Sequence, residues 1–333
     1  MKNRFATLAD EEKRMLFAMA SEQTKLAVQV IEKDWWVTIV LRLLSQSSCA
    51  AHLSFKGGTS LSKAWGLIDR FSEDADLALD HSFFGIDSTS RSQRLKLRKT
   101  SRRFVTETLS SELNDALGEL ECSGYTVEPV TRVQDKEIDG DKDPTVIQVR
   151  YKSMYPPLLS YLQPAVKIEI SCLSMKDPIA PKNISSWVSQ CIPALEKDDA
   201  FVINTVLPTR TFLEKAFLLN EEYQRERPRS FRMSRHLYDL ERIMDTGYGL
   251  SAVSDMTLYR SIVQHRRECY CLKYVDYDSN DPDRIQICPP DNLLHEWRAD
   301  YEAMQKSFIY GNSLPFDGLI DRIRILQERF RKQ

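Results

Sequence analysis

A chain of 333 residues is long enough for one large domain or two ordinary ones, with a sizeable core. Its 42% hydrophobic and 28% charged residues fit a globular protein and exclude a disordered one. A net charge of −2 excludes a global attraction to nucleic acid, so any such binding must use a local basic patch.

The seven cysteines are odd in number and irregularly spaced, and the five histidines are scattered. Cys269 and Cys271 form only a CxC pair with no second pair nearby, which argues against zinc and for free thiols in a reducing compartment. The opening MKNRFATLADEEKRML is too acidic and polar for a signal peptide, and no apolar run approaches the ~20 residues of a membrane span. A cytoplasmic protein without membrane association is expected.

In chain order, residues 8–46 predict helices, with Leu26, Ile31, Trp35, Ile39 and Leu43 at helical spacing. Within them Glu32–Trp36 sets two tryptophans beside three charges, as an amphipathic core helix or as a wall of an active site. Next comes FKGGTSLSKAWGLIDRFSEDADLALD, Phe55–Asp80. Gly57, Gly58, Thr59 and Ser60 lead into a helical segment, where glycines let backbone amides approach a phosphate. Asp74 and Asp76 lie two apart on a predicted strand and so share a face, a pair suited to divalent metal beside phosphates. Arg70, between loop and strand, either steadies a triphosphate or braces the turn.

Arg91–Leu113 predicts a helix with seven basic residues before its first acid, Glu107, as a solvated face or a footprint for nucleic-acid phosphates. Tyr125–Val133 and Thr145–Tyr151 alternate like two strands around a polar hairpin containing Asp139-Gly140. The run Asp135–Asp143 imitates a calcium loop, but Val146 replaces the closing glutamate and strands flank it where helices are required. Ala165–Ser171 is a strand with Val166, Ile168 and Ile170 on one face and Lys167 and Glu169 on the other; beside the Asp74 strand it would supply a third carboxylate, Glu169. Pro178–Lys182 is expected as a loop and the region of Pro208 as a domain boundary. Beyond it five helices are expected: Thr211–Arg225, Ser234–Met244, Leu250–Glu268, Leu293–Phe308 and Phe316–Arg331, with an irregular stretch Tyr270–Pro290. Lys215, off the apolar stripe of its helix, reads as a surface ion pair with Glu214 or Glu222. Asp239 lies within a turn of Arg235 and Arg242, and His236 reads as a packing or surface residue.

The order GGTSLSKAW…RFSEDADLAL resembles the first motif of the AbiEii/AbiGii-type toxins, the nucleotidyltransferase-like half of type IV toxin–antitoxin and abortive-infection pairs. These toxins are similar in turn to polymerase-β-type nucleotidyltransferases. VKIEIS resembles a second motif, TFLEKAFLL a third and RHLYDLERI a fourth; HEWRADYEAM, His295–Met304, also looks family-like. The resemblance runs from about residue 30 to the C-terminus and implies an α+β architecture. Residues 1–207 would form a helical lead-in and a nucleotidyltransferase core with a mixed sheet, and 208–333 a helical domain, with the active site in the cleft between them. It implies metal at Asp74, Asp76 and Glu169, two Mg2+ ions being expected, and nucleotide contacts from Gly57, Gly58, Thr59, Ser60, Arg70, Lys167 and Lys215. It makes Asp239 the acidic partner of Lys215 or a base, so that Asp74, Asp76, Lys215 and Asp239 carry the catalysis. The implied activity is transfer of a nucleoside monophosphate from an NTP to RNA, with the tRNA 3′ end as acceptor. Such transfer would block translation in phage defence, and a cognate antitoxin would neutralise it without a stable complex. Two alternatives stay open: transfer to a protein or small molecule, and a non-catalytic nucleotide-binding regulator.

Overall fold

The structure is a computed structural model that describes residues 3–88, 90–133, 136–156, 163–192, 194–195 and 199–333. It divides into two compact units, one of Met1–Ala64 and Ser72–Thr205 and one of Trp65–Phe71 and Val206–Gln333. The short segment Trp65–Phe71 thus belongs with the C-terminal half, although it lies inside the Phe55–Asp80 stretch.

The first unit is α+β. Helices α1 (Asp10–Thr24) and α2 (Val28–Leu44) precede β1 (Leu53–Lys56), α3 (Gly57–Lys63) and β2 (Asp74–Leu79). A long helical stretch follows as α4 (Arg91–Arg103), a wider π-type turn (Phe104–Leu109) and α5 (Ser110–Glu119). Then come β3 (Tyr125–Pro129), β4 (Arg132–Val133), β5 (Lys136–Glu137), β6 (Thr145–Tyr151), β7 (Ala165–Ser171), β8 (Ile179–Ile184), α6 (Trp187–Cys191) and β9 (Phe201–Val206). Seven strands make a mixed sheet in the order β3-β6-β7-β2-β1-β9-β8. Its centre pairs β2 with β7 and β1 with β9 in parallel, while β1 with β2, β6 with β7 and β3 with β6 run antiparallel.

The alternating patterns explain most of this. Val166, Ile168 and Ile170 are fully buried, as a one-faced strand requires. The expected hairpin is β3 paired with β6, carrying β4 and β5 in its connection. Asp135 of the calcium-loop-like run lies outside the described residues. Pro178–Lys182 is not a loop: most of it belongs to β8, an edge strand, the kind of position in a sheet that tolerates proline. Helix α2 is buried on every side from Val30 to Leu44, a core helix rather than a surface one. Trp36 stacks on Tyr151 of β6, with centroids 4.8 Å apart.

The second unit is helical: α7 (Pro208–Glu222), α8 (Ser234–Ile243), α9 (Gly247–Ser254), α10 (Met256–His265), α11 (Leu294–Ser307) and α12 (Phe316–Arg331). Pro208 opens α7 in the first turn, where its fixed φ suits a helix start. The expected single helix Leu250–Glu268 is instead two, because Asp255 ends α9 and its carboxylate accepts the Leu258 N–H at the start of α10. Leu237, Leu240, Ile243 and Met244 face the core of this unit, as their spacing predicts. Among the described residues no helix is long and apolar enough to cross a membrane.

Candidate active site

In the first unit, strand alternation and register together assemble a charged face. Asp74 and Asp76 project from the same side of β2, while Ala75 and Leu77 are buried on the other. The parallel register sets Asp74 opposite Lys167 and Asp76 opposite Glu169. Four charged residues more than 90 positions apart in pairs therefore occupy neighbouring places on one sheet face. Lys167 donates to Glu169. Burial works against the lysine's charge, but Glu169, with Asp74 and Asp76 behind it, raises its pKa above the ordinary value, so it stays protonated. Lys56 of β1 stands opposite Asp76 on the same face, so three carboxylates against two ammonium groups leave it net negative by one charge.

The glycine loop meets this face through shape. Gly57 has φ +76°, and a Cβ there would lie 2.0 Å from Asp76 Oδ2, so only glycine permits the carboxylate its position. Thr59 and Ser60 are buried. The Thr59 hydroxyl donates to the Asp74 carbonyl, and that of Ser60 donates to the Gly57 carbonyl at 2.9 Å. Both hydroxyls are engaged inside the turn, and that of Thr59 fastens α3 to the start of β2.

The three charges of the Glu32–Trp36 segment are ties rather than a wall. Lys33 donates to Glu73 at 2.6 Å, one residue before Asp74. Asp34 accepts from Lys63, the last residue of α3, at 2.5 Å and from the Trp187 N–H at 2.8 Å. Glu32 accepts from the Ser153 hydroxyl and the Met154 N–H. Two consecutive residues of α2 thus anchor the end of the loop helix and the start of the aspartate strand. The available signal was three charges set in an otherwise apolar run, since a buried charge must be paired. Their long-range partners Glu73 and Lys63 carried no signal.

In the second unit, Arg70 makes a bidentate ion pair with Asp239 of α8, both bonds 2.7 Å. Lys215 of α7 reaches the same carboxylate at 2.9 Å, and its ammonium lies 3.5 Å from His236 Nδ1. All four side chains are buried. Burial alone would raise the Asp239 pKa, but Arg70 and then Lys215 outweigh it and hold it below the usual carboxylate range. Burial pulls Lys215 down; Asp239 opposes this, and the like charge of Arg70 adds to it. His236 is pushed well below its ordinary value by burial, then by Lys215 and Arg235, and is neutral.

This differs from the helical spacing reading. Asp239 pairs with residues 169 and 24 positions away, not with Arg235 or Arg242 on its own helix, and Lys215 is buried rather than paired with Glu214 or Glu222. Arg70 braces, since its fork is filled by Asp239. A carboxylate held between two cations is a weak base, which removes that role from Asp239. Segment Trp65–Phe71 is fixed in the same unit: the Tyr310 N–H donates to the Asp69 carbonyl, Phe71 N–H to Phe308 and Trp65 Nε1 to Val206.

The oxygen ligands of β2 suit a hard divalent cation. Mg2+ typically takes one or two carboxylates and completes its shell with substrate phosphates and water. Asp74 and Asp76 fit that pattern, and Glu169 beside them accepts from Lys167. Among the described residues no group of three His, Cys, Asp or Glu side chains forms a metal cluster, so the expected three-carboxylate cage is not assembled. On α4, Arg91, Lys96, Lys99 and Arg103 are exposed, while Arg98 lies 3.5 Å from Asp141.

The family model described as "Nucleotidyl transferase AbiEii toxin, Type IV TA system" matches residues 39–322, most of the chain. The chain belongs to the AbiEii toxin family. It is therefore a nucleotidyltransferase of type IV toxin–antitoxin systems, and the mixed sheet with its helices accords with that fold. The match covers the glycine loop, the Asp74–Asp76 pair, Lys167, Glu169, Lys215 and Asp239. No curated protein matches the chain.

Proposed function

We propose that this AbiEii-family enzyme transfers a nucleoside monophosphate from an NTP to RNA, at a tRNA 3′ end, in a Mg2+-dependent reaction that blocks translation. The carrying observation is the in-register face of Asp74, Asp76, Lys167 and Glu169 beside a loop whose Gly57 admits no side chain. Asp74 and Asp76 would hold the metal. Bound there, Mg2+ neutralises charge on the phosphates and lowers the pKa of an attacking hydroxyl.

The chain's own groups have distinct tasks. Lys167, kept protonated, holds Glu169 and limits repulsion among the three acids. Lys215 contacts the nucleotide's phosphates, supported by the surplus positive charge it shares with Arg70 against the lone Asp239. Asp239 positions Lys215. The exposed basic residues of α4 dock RNA phosphates. The enzyme acts in the cytoplasm, where NTPs and tRNA are found, and a cognate antitoxin neutralises it without a stable complex.

The test is direct. Incubation with each labelled NTP, Mg2+ and total RNA is expected to label RNA, and Asp74→Ala to abolish the label. Label that survives the substitution overturns the metal assignment, and label confined to protein or a small molecule overturns the acceptor.

A further inference from the structure

The connection between α7 and α8 joins the helices that carry Lys215 and Asp239, yet it takes no part in their ion pairs. From Glu222 to Arg235 the chain sets five arginines (225, 227, 229, 232 and 235) against two glutamates. Near its end Phe231 is 80% exposed. A lone exposed phenyl group is ordinary; one on a segment built to hold it out is not.

The segment is pinned on both sides of that ring. Glu222 accepts from the Arg229 N–H at 2.9 Å and from its guanidinium at 3.0 and 2.6 Å. The Ser230 hydroxyl donates to Glu296 at 2.9 Å. Asp300 accepts from the backbone N–H groups of Arg232 at 2.5 Å and Ser234 at 3.0 Å. Arg232 itself has φ +59°, a conformation a non-glycine residue holds only where its surroundings enforce it. Arg225 lies over the ring of Tyr274, 4.4 Å from its centroid, and Tyr274 is itself partly exposed. Two exposed aromatic rings are therefore presented here, Phe231 on the arginine-rich segment itself and Tyr274 beneath Arg225.

We propose that this segment is a docking surface for unpaired RNA, with a base stacked on Phe231 and phosphates beside Arg227 and its neighbours. Every base offers a π-face and every nucleotide a phosphate, so the pairing of aromatic and arginine suits a single strand without sequence readout. The inference takes its biological sense from the RNA-acceptor reading, but its test does not depend on that reading.

The experiment uses the full chain and a labelled 12-nucleotide single-stranded RNA, without NTP. F231A is expected to weaken binding about 10-fold, the range of one lost base stack. F231W is expected to restore binding, with its emission quenched by RNA, and R227Q to flatten the salt dependence by roughly one phosphate contact. A duplex of the same sequence is expected to bind wild type and F231A alike. Equal single-strand affinities for wild type, F231A and F231W, with unquenched emission, overturn the docking surface, even where RNA is still labelled in the transfer assay. Quenching in F231W alongside a wild type that labels no RNA keeps the docking surface and discards the acceptor.

Discussion

The two charged clusters of this protein are built on opposite plans. On the sheet face around β2, Asp74, Asp76 and Glu169 outnumber Lys56 and Lys167, and the aspartates are only partly buried. In the helical unit, Arg70 and Lys215 outnumber Asp239, and His236 beside them is kept neutral by burial. One cluster carries a surplus of negative charge, the other a surplus of positive charge. Neither surplus benefits a resting fold, because like charges gathered together destabilise it.

The contrast predicts different failures. Asp74→Ala or Asp76→Ala is expected to cut transfer by roughly 1000-fold or more, given the several kcal/mol a metal supplies. The melting temperature should change little, because neither side chain is fully buried. Activity within 10-fold of wild type would break the comparison on its acidic side. Asp239→Asn strands two buried cations and is expected to lower unfolding free energy by about 3–5 kcal/mol in denaturant titrations. A loss under ~1 kcal/mol would show that the buried cluster is not paired as described.

Gly57→Ala tests the loop. The left-handed backbone and the Asp76 contact are expected to cost about 1–3 kcal/mol and to depress transfer by displacing the carboxylate.

The smallest effect is in pH. The folded pKa of His236 lies below its ordinary 6.5, so the unfolded chain takes up the proton first and stability falls as pH drops below about 6.5. The slope is at most ~1.4 kcal/mol per pH unit. His236→Gln should flatten stability between pH 7.5 and 5; an unchanged slope would mean the histidine is not held neutral. Asp239 has the carboxylate sign: its contribution is present above the ordinary range and is lost only as pH falls below about 4.

What the sequence disclosed follows from the range of the interactions. The Asp74–Asp76 face and the Lys167–Glu169 strand were legible because alternation is local, and the order of motifs indicated the family. Strands β1 and β9 carried too little pattern to be read, four and six residues lying against buried neighbours. Strand β8 was obscured by prolines that an edge position tolerates. Helical spacing offered Asp239 the wrong partners because Arg70 and Lys215 reach it through tertiary packing alone. The Lys33–Glu73 and Asp34–Lys63 ties were hidden for the same reason, although unpaired charges in a core helix announce that partners exist.

The central claim is the proposal that the β2 carboxylates hold metal together with substrate phosphates. Calorimetric titration of Mg2+ into the wild type with a non-hydrolysable NTP analogue, and into Asp74→Ala/Asp76→Ala under the same conditions, tests it most directly. Metal binding that appears with the analogue and vanishes in the variant is the predicted result; equal binding by the two proteins would contradict it.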